Sequence, residues 1–191
     1  MTGARKPDYE IQPLILNRWS ARAMSGEGLS DTELMPLFEA ARWAPSSYNN
    51  QPWRFVYAKR ETGYWEKFLD LLVPGNQAWA KEAAVLIIVV SKKTFDYNGK
   101  PSRTHNFDTG AAWENLALEG TSRGLVVHAM QGFDYDRARE VAIIPDDYDV
   151  EAMIAIGKPG KKESLPPKLQ ESESPNDRRS LNEIIKEGKF E

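Results

Sequence analysis

Four short polar segments of this 191-residue chain carry the residue types that could do chemistry. Arg18-Trp19-Ser20-Ala21-Arg22 sets two guanidinium groups four residues apart with a hydroxyl between them. Such a group can close around a phosphate, because guanidinium offers forked donors and never loses its charge; it also reads as a solvated basic turn. A second basic pair, Arg178-Arg179, lies far along the chain, and spacing alone does not bring the two clusters together. Pro45-Ser46-Ser47-Tyr48-Asn49-Asn50-Gln51-Pro52-Trp53 packs hydroxyls, amides and two rigid prolines into one loop. It can present a fixed hydrogen-bonding edge to a ligand, or serve as a plain polar connection. His128-Ala129-Met130-Gln131-Gly132-Phe133-Asp134 passes from a strand into a helix, and its glycine would let backbone amides approach a flat ring; the alternative is an ordinary strand-to-helix turn.

Several chemistries lack their residues. There is no cysteine, which removes disulfides, thiol nucleophiles and thiolate-ligated metals. His105 and His128 stand without carboxylates at ligand spacing, and His128 reads as a hydrogen-bonded core or site-wall residue. No Gly-x-Gly-x-x-Gly follows a strand, Gly157-Lys158-Pro159-Gly160 lacks phosphate-loop spacing, and no Gly-x-Ser-x-Gly elbow occurs. Any chemistry therefore falls to a bound cofactor. A net charge of −3 gives no whole-chain field for nucleic acid or an anionic membrane. The apolar run 83–90 is too short to span a bilayer, and residues 1–13 lack the apolar stretch of a secretory signal. A cytoplasmic protein is expected.

The elements that must hold these segments follow from periodicity. Ser30 and Glu33 form a capping-box signature, and Leu34, Leu37, Phe38 and Ala41 recur at helical spacing until Pro45. Strands are predicted over 53–58, 85–91, 125–130 and 152–157, with the aliphatic run 85–91 at the sheet centre. Helices are predicted over 64–72, 108–123 and 135–143, with a turn at Val73-Pro74-Gly75 and Gly124 as a left-handed cap. From 158 to 177 periodicity disappears among four prolines, which predicts an extended segment. A second capping box, Ser180 with Glu183, leads into Leu181, Ile184 and Ile185, an apolar patch suited to docking on a partner subunit. The whole indicates an α+β or three-layer domain.

These segments in this order, joined by Asn76-Gln77-Ala78-Trp79 and Phe107-Asp108-Thr109-Gly110-Ala111-Ala112, resemble the nitroreductase family of FMN-dependent oxidoreductases from about Ile15 to Ile185. The resemblance implies one domain over 1–191, with a central mixed, mostly antiparallel sheet flanked by helices. It also implies a homodimer in which an extended C-terminal arm, 158–191, is exchanged between subunits. Each of two FMN sites would draw on both chains. Arg18 and Ser20 would bind the FMN phosphate with Arg178 or Arg179, and Arg22 would lie by the N1/O2 edge of the ring. Pro45, Ser46, Ser47 and Asn49 would arrive from the other chain, Asn76 would meet the pyrimidine edge, and the Gln131 and Gly132 backbone would approach N5. Trp19 and Met130 complete the cofactor-binding set. Arg22 stands where several relatives carry lysine, and Trp19 where His or Arg is common; neither departure removes a required charge.

The implied reaction passes a hydride from NAD(P)H to flavin N5. An electron-poor small molecule, such as a nitroaromatic or quinone, then takes its place on the same face in a ping-pong cycle. No protein acid or base is needed. Two other readings keep the same fold: a specialised relative that dehalogenates or fragments its substrate or flavin, and a flavin-binding regulatory dimer without turnover. The first usually adds a lid, and the candidate lid over 96–106 is short and polar.

Overall fold

The computed structural model describes residues 5–190, so residues 1–4 and 191 of the expected single domain lie outside the described residues. In chain order it contains α1 (Pro13–Asn17), α2 (Asp31–Arg42), β1 (Trp53–Lys59), α3 (Trp65–Leu69), α4 (Pro74–Ala80), β2 (Val85–Lys92), α5 (His105–Ser122), β3 (Val126–Met130), α6 (Tyr135–Val141), β4 (Tyr148–Gly157), α7 (Pro167–Glu171) and α8 (Leu181–Ile184). The strands form one sheet in the order β1-β2-β4-β3, and each of these pairings is antiparallel. The architecture is α+β.

The aliphatic run at 85–91 is the sheet centre, buried along its length and paired on both sides. Because side chains alternate across a strand, its residues feed two cores. Leu86, Ile88 and Val90 pack with Trp65 and Phe68 of α3 and Trp79 of α4, whereas Val85, Ile87 and Val89 pack with Leu34 and Leu37 of α2 and Leu116 of α5. The capping box of α2 forms as its sequence requires, with Ser30 N donating to Glu33 Oε2 at 2.8 Å. Gly124 adopts φ 72° just past α5, and the Leu125 amide donates to the Gly120 carbonyl at 2.9 Å, closing the helix.

Several boundaries differ from the sequence reading. Pro74 begins α4 instead of lying within the expected turn at 73–75, because proline at the first helical position loses only an amide that would be orphaned anyway. α1 was not expected, being five residues long with no buried residue to set a period. α5 begins at His105, three residues early, and β4 begins at Tyr148, since its first half is partly exposed and polar.

The largest correction concerns the stretch from 158 to 173, predicted as extended. It folds back on its own domain: Ser25 N donates to Lys158 O at 3.0 Å, Gly160 N donates to Ala23 O at 2.9 Å, and Leu165 and Glu173 are buried. Proline and charge density hid this packing, because the partners lie 130 residues and more away in sequence. Gly160 is required where it stands, for a Cβ there would lie 2.4 Å from the Met24 carbonyl oxygen. Gly160→Ala must push backbone from backbone and is expected to lower stability by about 1–3 kcal/mol, read as a reduced midpoint of chemical denaturation.

Candidate functional site

The two remote basic clusters meet. Arg18, at the exit of α1, lines a cleft of about 730 Å³ together with Arg178 and Arg179 on the approach to α8. Arg18 Nη1 donates to Ser20 Oγ at 3.5 Å, and its Nε lies 3.4 Å from Glu114 Oε1. Arg5 also lines this cleft, and nothing in its sequence context marked it. Its Nη1 donates to the carbonyls of Leu16 at 2.7 Å and Arg18 at 2.5 Å, while its Nε donates to Asn176 O at 2.9 Å. Arg5 thus fastens the end of α1 to the C-terminal arm. Burial, and next the Arg178 and Arg18 guanidinium groups, hold the Arg5 pKa below its ordinary value. Like charges so arranged gain from an anion between them, and the donor set fits a phosphate monoester.

Arg22 is not in that cleft. It lines a second cavity, of about 740 Å³, with Trp79, Lys81, Leu165 and Pro166. Glu173, which is 8 % exposed, holds its segment: Oε1 accepts from the Arg22 amide at 2.7 Å and the Ala23 amide at 2.9 Å. Its Oε2 lies 3.6 Å from Arg22 Nη1. His128 Nδ1 donates to the Ala21 carbonyl at 2.9 Å, with the Trp79 ring 4.6 Å away; His128 lines neither cavity, so of the two expected roles the hydrogen-bonded core residue is the one observed. Burial depresses the His128 imidazole below its ordinary 6.5, and Arg22 depresses it further, against the hydrogen bond to Ala21 and the charge of Glu173.

The strand-to-helix junction is closely packed. The Gly132 carbonyl accepts from the Val73 amide at 3.0 Å and from Asn76 Nδ2 at 3.0 Å, which brings together two residues expected at one ring. A Cβ on Gly132 would stand 2.7 Å from Asn76 Nδ2, so the glycine is what allows α4 to approach. Met130 is buried in the core, and Trp19 packs against the same core and lines neither cavity.

The loop after α2 is held by a carboxylate. Asp108 of α5, 4 % exposed, accepts from the Ser47 amide at 3.0 Å and from Thr104 Oγ1 at 3.3 Å. Ser46 Oγ accepts from the Gln51 amide at 3.0 Å. Tyr48, Asn49 and Gln51 have φ of 52°, 53° and 50°, left-handed values that strain a residue other than glycine and persist only where surrounding bonds impose them. Neither cavity is lined by Pro45, Ser46, Ser47 or Asn49, so one chain does not bring this loop to the arginines. The first part of the candidate lid is a tight turn, with Phe95 N donating to Lys100 O at 2.8 Å and Asp96 N to Asn50 Oδ1 at 3.0 Å, and its last two residues, His105 and Asn106, open α5. Ser91 bonds to both His105 Nδ1, at 2.7 Å, and Glu151, yet Ser91 is fully buried and cannot meet a substrate as a nucleophile.

Residues 15–158 match the model of the nitroreductase family. The chain belongs to the nitroreductase family. Protein DrgA of Synechocystis is 31% identical over 177 residues, covering 73% of this chain and 81% of that protein. A crystal structure described as an oxidoreductase containing FMN is 43% identical, with a TM-score of 0.94 and coverage of 100% of this chain and 99% of that one. A Thermus thermophilus protein named NADH dehydrogenase is 24% identical over 199 residues, covering 83% of this chain and 91% of its own. Arg5 lies ahead of the residues matched by the nitroreductase model, and Glu173, Arg178 and Arg179 lie beyond them. No helix among the described residues is long and apolar enough to cross a membrane.

The depressed His128 pKa has a definite sign. Unfolded chains take up this proton as pH falls through 6.5, whereas the folded imidazole stays neutral to lower pH, so folding stability drops on acidification below 6.5. His128→Gln is expected to flatten that part of the profile, measured as denaturation midpoint against pH.

Proposed function

We propose that this chain is an FMN-dependent oxidoreductase that uses NAD(P)H to reduce electron-poor small molecules, nitroaromatics and quinones foremost, and that it works as a homodimer. The observation that carries this reading is the convergence of Arg18, Arg178 and Arg179 on one cleft from opposite ends of the chain. Those three guanidinium groups would hold the FMN phosphate, with Ser20 beside Arg18 and Arg5 fixing the backbone between them. When bound, FMN supplies the centre that takes a hydride from NAD(P)H and passes it to the acceptor.

The remaining assignments concern what this chain's own groups would do. Arg22 would present a fixed cation to the polar N1/O2 edge of the ring, a preorganised charge that needs no rearrangement when negative charge develops. The Gln131 and Gly132 backbone would orient the ring at N5, and the packing of Gly132 on Asn76 supports a rigid seat there. Asn76 spends one amide hydrogen on Gly132 and keeps its other donor and its acceptor capacity for the pyrimidine edge. The strained loop at 45–51 would serve the partner's cofactor, and the exposed Ile184 and Ile185 near α8 support an arm that docks across the dimer. The tight bonding of the turn at 95–100 supports an open ring face and favours a broad-acceptor reductase over a lidded, specialised relative.

Purified holoprotein, mixed anaerobically with NADH or NADPH in a stopped-flow instrument, is expected to lose flavin absorbance and regain it on addition of a nitroaromatic or quinone. Protein that takes up no FMN on reconstitution overturns the reading; flavin that binds but is not bleached by either nucleotide favours the regulatory dimer. Arg18→Ala removes a charge-assisted contact worth about 1.5–3 kcal/mol and is expected to weaken FMN binding roughly ten- to a hundredfold. Riboflavin, which lacks the phosphate, should bind the variant and the parent alike in a fluorescence titration.

A further inference from the structure

We propose that Glu173 is a positioning residue for Arg22: it aims the guanidinium, offsets part of its charge, and thereby lowers the reduction potential of the flavin this chain binds. The inference rests on the functional reading above, in which Arg22 faces the polar edge of the ring. It concerns a residue outside the span matched by the family model.

The two oxygens of Glu173 do different things. Oε1 accepts from the amides of Arg22 and Ala23, a task that needs an acceptor but no charge, so glutamine would serve as well. Oε2 is buried and has no hydrogen-bond partner among the described residues. Leaving a carboxylate oxygen buried and unbonded is unfavourable, so tethering the backbone does not by itself account for an ionisable side chain here. What Oε2 has is a cation, Arg22 Nη1, at 3.6 Å.

Arg22 lines the second cavity, which Asn76, Gln131 and Gly132 do not, and Glu173 pairs with Arg22 from the arm without lining it. A carboxylate at that range subtracts from the positive potential Arg22 projects forward, and the low local dielectric magnifies the effect. His128, which donates to the Ala21 carbonyl, adds no compensating charge while burial keeps its imidazole neutral. A weaker cation at the edge of the ring makes two-electron reduction less favourable and leaves the reduced cofactor a stronger donor toward difficult acceptors. The arm therefore reaches the chemistry through electrostatics as well as through the phosphate.

The test measures the flavin midpoint potential and the FMN dissociation constant of the full-length holoprotein. Glu173→Gln keeps the acceptor for both amides and removes the charge. It is expected to raise the potential, shifting the two-electron equilibrium roughly tenfold, about 30 mV, while FMN affinity stays close to that of the parent. Arg22→Gln is expected to lower the potential, and Glu173→Gln added to it should have a smaller effect than in the parent, since the two act as a pair. A potential that moves in Arg22→Gln but not in Glu173→Gln overturns this inference and leaves the functional reading intact. A potential unmoved by either variant removes Arg22 from the ring edge and overturns this inference with that assignment, whereas the FMN reading itself falls only if no FMN is taken up. Glu173→Ala, which also loses the amide bonds, separates the two roles: a purely structural Glu173 would weaken FMN binding in this variant and leave the potential of the glutamine variant unchanged.

Discussion

A strand with no solvent face governs this structure. Val85 through Ser91 of β2 are all buried, and a strand in that condition demands an apolar layer on each side and a paired neighbour on each edge. Burying six aliphatic side chains at about 1.5–3 kcal/mol each amounts to roughly 10 kcal/mol or more, comparable with the net stability of a whole domain. The helices are placed by this requirement: α2 and α5 cover the face of Val85, Ile87 and Val89, and α3 with α4 covers the face of Leu86, Ile88 and Val90. Once α4 is seated on that face, its first turn lies against the end of β3, and Asn76 meets Gly132.

On this frame the functional segments are held by side chains from far along the chain. Asp108 on α5 fixes the loop after α2 through the Ser47 amide, and Glu173 on the arm fixes Arg22 and Ala23 in the same way. A carboxylate is a good tether for an irregular segment, because it can accept amides that have no ladder or helix to satisfy them. Arg5 applies the complementary device, a guanidinium donating to the carbonyls of three separate residues. Placement of the arginines thus depends on the segment at 5–23 and the arm at 173–179 folding against each other.

The regular elements were legible where local chemistry and burial agree. The helix at 31–42 has a capping box and a clean apolar period; the strand at 85–92 opens with six consecutive aliphatic residues; the close of α5 is a glycine at positive φ. The elements missed were short or introduced by proline: α1, α4 and α7 are five to seven residues long, and each carries proline in its first turn. Such segments give too few residues to show a period, and proline at their start reads as a break.

Residue types alone determined that the chain lacks cysteine chemistry, that Arg18 to Arg22 and Arg178-Arg179 could hold an anion, and that Gly132 could admit a close neighbour. These follow from what a side chain is able to do wherever it stands. Tertiary structure alone decided that Arg18, Arg178 and Arg179 share a cleft and that Arg22 does not. It likewise drew a charged, proline-rich stretch back onto its own domain through Leu165 and Glu173. Glu173 lies 151 residues from Arg22, and no local pattern encodes a contact at that separation. It forms because the sheet brings the two segments side by side and a buried backbone amide must find an acceptor.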